Sequence, residues 1–138
     1  MSRRSGQPEN SIAIDVPILD RVGQPITPGS LIAYGHALGR CAGLRLGKVL
    51  KVTGWIIPAI QSTFHNYPER REYRLTIHGI DDDSFDINQP DQVSWRGEKY
   101  DIKLLDKKST LQFPSRVVVL DPQMVPQAYR DLFDTVSL

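Results

Sequence analysis

Apolar residues recur at every second position in several short stretches of the chain and at helical spacing in one. Ile12, Ile14 and Val16 are separated by single residues, which is the period of a half-buried strand, and Pro17 closes or edges it. After the turn residues Pro28-Gly29-Ser30, the apolar run from Leu31 to Tyr34 predicts a strand buried on both sides or built into a barrel wall. From Leu44 to Trp55, the apolar Leu44, Leu46, Val49, Leu50 and Val52 are interleaved with Arg45, Lys48 and Lys51. That pattern predicts a strand with one apolar face and a largely cationic one, with Gly47 as a bulge or bend. Tyr73, Leu75 and Ile77, set against Arg74 and Thr76, predict another strand over 72–78. A hairpin folded about Arg96-Gly97 is expected within 93–105. Two further strands are expected at 111–113 and at the β-branched 116–120.

The rhythm changes near the C-terminus. Val125, Ala128, Tyr129, Leu132, Phe133 and Val136 recur at helical spacing, and Pro126 suits a first turn. A helix at about 126–136 is therefore expected, with its apolar stripe laid on the sheet. Gly35, Gly39 and Gly43 fall within nine residues, which predicts a loop there. The stretch after Pro58 to about Arg71 reads as an exposed linker carrying Phe64, His65 and Tyr67. Residues 1–10 lack periodicity and read as a flexible N-terminal arm. Six or seven short strands and one late helix make residues 11–138 a single mainly β domain, a small barrel or sandwich with loop insertions.

Composition narrows the class further. A chain of 138 residues with 40% hydrophobic content supports one core, and its ten glycines and ten prolines punctuate many short elements. Cys41 is the single cysteine, so neither an intrachain disulfide nor a cysteine zinc site is available. No run approaches a membrane span or a secretory leader, so a cytoplasmic protein with no membrane contact is expected.

Charge is sorted along the chain although the net charge is only +1. Residues 1–30 balance at zero, residues 31–80 carry +5 and residues 81–138 carry −4. Between Ile26 and Trp55 there are four cations and no carboxylate. Cations on a strand face and its flanking loop neutralise phosphates and release counterions, while aromatic rings stack on bases. The candidate nucleic-acid contacts are Arg40, Arg45, Lys48 and Lys51, with Tyr34, His36 and Trp55 as stacking groups. The alternative is a protein partner meeting Phe64, Tyr67 and the acidic turn Asp81-Asp82-Asp83. Arg70, Arg71 and Arg74 are diluted by Glu69 and Glu72 and read as a surface salt-bridge ladder.

Catalytic and metal chemistry find little footing. His78 with Asp81, Asp82, Asp83 and Asp86 lacks the alternating ligands, central glycine and closing glutamate of a calcium loop. His36 and Cys41 could meet across the glycine-rich stretch, but no orienting carboxylate accompanies them. There is no Gly-x-Ser-x-Gly elbow, phosphate loop or dinucleotide fingerprint. A non-enzymatic binding module without cofactor or metal is expected.

Pro28-Gly29-Ser30 before an apolar strand, then Gly35, the basic stretch and Gly47-Lys48-Val49-Leu50-Lys51-Val52, resembles the KOW motif of ribosomal and transcription-factor domains. That resemblance covers about 30 residues closely and about 60 loosely. It implies an SH3-like small barrel that engages nucleic acid, a ribosome or a polymerase. Arg116-Val117-Val118-Val119-Leu120 after Phe113-Pro114 is similar to the ending of small SH3-like proteins of tailed bacteriophages, which implies an accessory protein acting on a host component. The chain departs from the motif in its longer Gly35–Gly43 stretch and in the linker from Gly54 to Arg71.

Overall fold

Strands form where branched and aromatic side chains alternate, and the register between them decides which layer each side chain enters. In a computed structural model of the chain, residues 7–38, 41–62, 64–81, 88–89 and 91–138 are described, with backbone only at 36–38, 41 and 42. The strands are β1 (Ile12–Ala13), β2 (Leu31–Leu38), β3 (Cys41–Ile57), β4 (Ile60–Gln61), β5 (Asn66–Tyr67), β6 (Arg70–Gly79), β7 (Ser109–Leu111) and β8 (Val117–Leu120). One α-helix, α1 (Gln127–Asp134), follows, and 3-10 turns occupy Pro114–Arg116 and Pro122–Met124. The main sheet is antiparallel and open, in the order β7-β6-β3-β2-β8, with β1 alongside β3. β4 and β5 form a separate hairpin. The fold is thus mainly β with one short helix.

Register separates two cores on opposite faces of this sheet. On one face Ile32, Tyr34, Val49, Leu75, Ile77 and Val117 pack with Ile18 and Ile26, which the segment before β2 brings across the strands. On the other, Leu31, Leu46 and Leu120 meet Ile80, Val125, Tyr129 and Phe133. α1 covers this second face. Its buried Tyr129 and Phe133 are four residues apart, on one side of the helix. Pro126 stands at its N-cap, and the Thr135 hydroxyl donates to the Leu132 carbonyl at 2.6 Å. The expected helix at about 126–136 is therefore present over a slightly shorter span.

Three expectations from the pattern are corrected. Within the stretch from Gly35 to Gly43, residues 35–38 and 41–43 continue two strands, with Gly35 opposite Leu44, His36 opposite Gly43 and Leu38 opposite Cys41, and residues 39 and 40 lie outside the described residues. The antiparallel ladder propagates from the well-packed Leu31–Tyr34 segment, and glycine costs it little where the partner strand is already aligned. The N-terminal strand is only two residues long, and Ile12 and Val16 are exposed. Beyond the Ile14 N–H bond to the Gly54 carbonyl at 2.8 Å, the chain leaves β3 so that Ile18 can enter the core.

The third correction concerns the bulge. The register shift in β3 lies between Val49 and Lys51, not at Gly47. Gly47 is opposite Gly79 and close under the Tyr34 ring, whose edge carbon would be 3.0 Å from an added Cβ. A Cβ at Gly79 would fall on the Tyr34 hydroxyl. These two glycines are spaces for an aromatic ring.

Candidate functional site

The bulge decides where the cations of β3 go. Before it, Arg45 pairs with Tyr34 and faces the first core's side, while Lys48 pairs with Leu31 and faces the helix side. After it, Lys51 pairs with Thr76 and takes the same side as Lys48. A common cationic face for Arg45, Lys48 and Lys51 is therefore not formed. Lys48 is committed internally, since its ammonium donates to the carbonyls of Phe133 at 3.1 Å and Val136 at 2.9 Å. Both carbonyls lie at the C-terminal end of α1, where the helix dipole favours a cation, and the Phe133 carbonyl also accepts from the Val136 N–H at 3.0 Å.

The aromatic candidates for stacking are also placed inside. Tyr34 and Trp55 are each 3% exposed, which leaves no ring face for a base. Arg74 lies over the Trp55 ring at 5.2 Å. Of the remaining candidates on this strand pair, Lys51 is exposed, Arg45 is half-buried, and the side chain of His36 and all of Arg40 lie outside the described residues.

The alternative candidates fare differently. Phe64 is 88% exposed and Tyr67 is exposed beside it. They sit on the β4–β5 hairpin, which is closed by the Ser62 N–H to the His65 carbonyl at 2.9 Å. The Ser62 hydroxyl donates to the same carbonyl at 2.8 Å and accepts from the His65 N–H at 2.9 Å. The His65 and Tyr67 rings stack with centroids 5.8 Å apart. Asp81 is exposed, while Asp82 and Asp83 lie outside the described residues. Of the expected salt-bridge ladder, Arg70 meets Glu72 at 3.8 Å.

Next to the hairpin along β6 is a feature that alternation did not reveal. Ile14, Val16 to Asp20, Arg71 and Tyr73 of β6, and Gln112 to Ser115 line a groove of about 570 Å³. A second hollow of about 300 Å³ shares Arg71, Tyr73, Gln112 and Phe113 with it. Phe113 is 53% exposed, and the Arg116 guanidinium lies 4.6 Å over its ring. The signal for this site was Phe113-Pro114, a large apolar residue before a turn, but nothing in the sequence brings it beside Arg71. A second ordered aromatic was likewise missed as a surface group. Trp95 is exposed on the turn from Ser94 to Gly97, with Arg96 at 4.8 Å over its ring.

Asp20 borders the groove but is turned into the protein. It is 7% exposed, and its carboxylate accepts from the Val119 N–H at 2.7 Å, the Gln24 N–H at 2.8 Å and the Val22 N–H at 2.9 Å. The Gln24 side-chain amide adds a fourth bond at 3.2 Å and donates also to the Val119 carbonyl at 2.9 Å. Burial alone would raise the Asp20 pKa. The hydrogen bonds from Val119, Gln24 and Val22 outweigh it and hold the carboxyl below its ordinary value. These bonds also occupy the outer edge of β8, which would otherwise stand open.

Chemically, this side of the molecule offers apolar surface, aromatic rings and guanidinium groups. Among the described residues no three His, Cys, Asp or Glu side chains converge as a metal site needs. His78 Nε2 is 2.7 Å from the Leu105 carbonyl. Among the described residues no helix is long and apolar enough to cross a membrane. Comparison of the chain with protein-family models, with curated protein sequences and with solved structures returned no match.

Proposed function

We propose that the chain is an SH3-like small barrel acting as a non-enzymatic protein-interaction module, with Phe64 as the anchor presented to its partner. The observation that carries this reading is the exposure of Phe64 on a turn held by three hydrogen bonds. A turn whose backbone is held before binding loses less freedom on docking than a slack one, and aromatic side chains dominate the energetics of interfaces. The internal engagement of Lys48, Tyr34 and Trp55 is what moves the reading from nucleic acid to protein.

The SH3-like reading is supported by strand order. Counting only β2, β3, β6, β7 and β8 along the chain, the sheet runs fifth, first, second, third, fourth, and a 3-10 turn precedes the last strand. β1 and the β4–β5 hairpin are then additions to that plan. The likeness of the Phe113–Leu120 ending to small bacteriophage proteins makes a host protein the favoured partner.

The test is a pair of measurements on the folded protein. Wild type and Phe64→Ser are compared in affinity capture from host lysate, and both are titrated into labelled DNA and RNA at low and near-physiological salt. A protein partner retained at both salts and lost with Phe64→Ser is expected. Steeply salt-dependent oligonucleotide binding that disappears in Lys51→Glu would return the site to the basic strand.

A further inference from the structure

β6 extends well beyond its outer neighbour. Its pairing with β3 runs from Arg70 to Gly79, but β7 covers only Leu75, Thr76 and Ile77 on the other side. Among the described residues no strand pairs with the outer edge of β6 from Arg70 to Arg74. After Leu111 the chain turns away through Phe113 into the 3-10 turn at Pro114–Arg116. The unpaired stretch therefore borders the two hollows shared by Arg71, Tyr73, Gln112 and Phe113. A strand edge of this kind carries backbone N–H and C=O groups ready to accept another strand.

The chemistry of the edge selects what is added. Residues 70–74 read Arg-Arg-Glu-Tyr-Arg. A second copy of this chain would bring the same three arginines against them, so self-pairing is opposed by like charge. Beside the groove Arg116 lies over Phe113; of the carboxylates that line the two hollows, Asp20 is already taken by backbone and amide donors and Glu72 meets Arg70 at 3.8 Å. The Arg71 guanidinium makes no hydrogen bond or ion pair with a described residue, and the residue is exposed, while its backbone pairs with Ile56 of β3. Alternation along β6 puts Arg71 and Tyr73 on the groove side, and Arg70, Glu72 and Arg74 on the other.

We propose that the outer edge of β6 from Arg70 to Arg74 accepts an extended acidic peptide as an added strand. Its aliphatic side chains enter the groove against Tyr73 and Phe113, and its carboxylates stand between them opposite Arg70 and Arg74. This inference rests on the protein-interaction reading and names a second contact surface for it, separate from Phe64.

The test uses four synthetic nine-residue peptides: alternating Val and Glu, alternating Val and Lys, the Val–Glu peptide N-methylated at every Val, and the same peptide N-methylated at every Glu. Each is titrated into the ¹⁵N-labelled full chain while amide resonances are followed. The Val–Glu peptide is expected to shift Arg71, Tyr73 and Phe113 saturably, and the Val–Lys peptide is not. Methylation in the register that faces β6, or Arg70→Glu/Arg74→Glu in a variant whose spectrum remains folded, is expected to weaken binding about tenfold or more.

Equal binding of the Val–Glu and Val–Lys peptides, or tolerance of methylation in both registers, would overturn strand addition. So would an absence of shifts at these residues. Shifts confined to the Phe64 hairpin would also overturn it, while leaving the protein-interaction reading in place. Failure of that broader reading has a different signature, namely salt-steep oligonucleotide binding that depends on Lys51.

Discussion

Lys48 donates to the Val136 carbonyl at 2.9 Å and thereby joins the middle of the sheet to the far end of α1, 88 residues away. A cation there offsets the partial negative charge of the helix end, and its second bond, to Phe133, adds a charged donor to a carbonyl that already accepts from the Val136 N–H. Lys48→Met keeps the aliphatic stem and removes both bonds. It is expected to cost about 1–2 kcal/mol, with faster amide exchange in α1 than in β2. Unchanged denaturant midpoints and unchanged exchange in α1 would show the contact to be idle.

Asp20 gives the fold a defined response to acid. Because its folded pKa lies below the ordinary value of 3.8, its contribution is fully present above that value. It is lost as pH falls through the depressed folded pKa. Asp20→Asn leaves one acceptor where there were two and is expected to destabilise the neutral protein by roughly 3 kcal/mol. The difference between wild type and variant should narrow as pH drops below about 4. Urea titrations at pH 7, 4 and 2.5 would check both statements, and a gap independent of pH would contradict them.

Gly79 is occupied space rather than a flexible joint. Gly79→Ala drives a methyl group into the Tyr34 hydroxyl and is expected to cost about 1–3 kcal/mol. Tyr34→Phe removes the nearest atom of that clash, so the double variant should be more stable than additivity of the single changes allows. Thermal unfolding of the four proteins forms the cycle. Strict additivity would mean that the ring and the glycine do not meet.

Phe64 should separate stability from binding. At 88% exposure it contributes little to the folded state, so Phe64→Ser is expected to change unfolding free energy by no more than about 0.5 kcal/mol. Partner affinity should fall at least about tenfold if the side chain is an interfacial anchor. A large loss of stability would instead make it a structural residue.

Local pattern was informative where one residue's environment follows from its near neighbours. The spacing of Tyr129, Leu132 and Phe133 and the position of Pro126 gave the helix, and Arg96-Gly97 gave the turn on which Gly97 adopts φ 81°. The exposed surface of the Phe64–Tyr67 linker was legible for the same reason, although its hydrogen-bonded hairpin was not. Less legible was everything that depended on register. Alternation puts Arg45 and Lys48 on opposite faces, the bulge between Val49 and Lys51 moves Lys51 to the side of Lys48, and the layer formed by α1 turns Lys48 from a solvent-facing residue into a helix-end contact. Tyr34 and Trp55 were aromatic in a basic stretch, which suggested stacking, but the sheet faces they occupy are covered. The groove depends on Ile14–Asp20 meeting Gln112–Ser115, nearly a hundred residues later, and no short-range signal encodes that meeting.

The same long reach governs how the chain must be made. β2 lies between β3 and β8, and Asp20 bonds to Val119 across 99 residues. Ile18 and Ile26 emerge ahead of β2 and β3, which can pair early during synthesis, yet one flank of β2 and the apolar face under α1 stay uncovered until β8 and α1 have been made. Distant closure of this kind slows folding and prolongs the interval in which nascent strands can associate wrongly. A chain stopped short of Val117 would leave the β2 edge and the face under α1 open to other strands, so β8 and α1 close what the early hairpin leaves exposed.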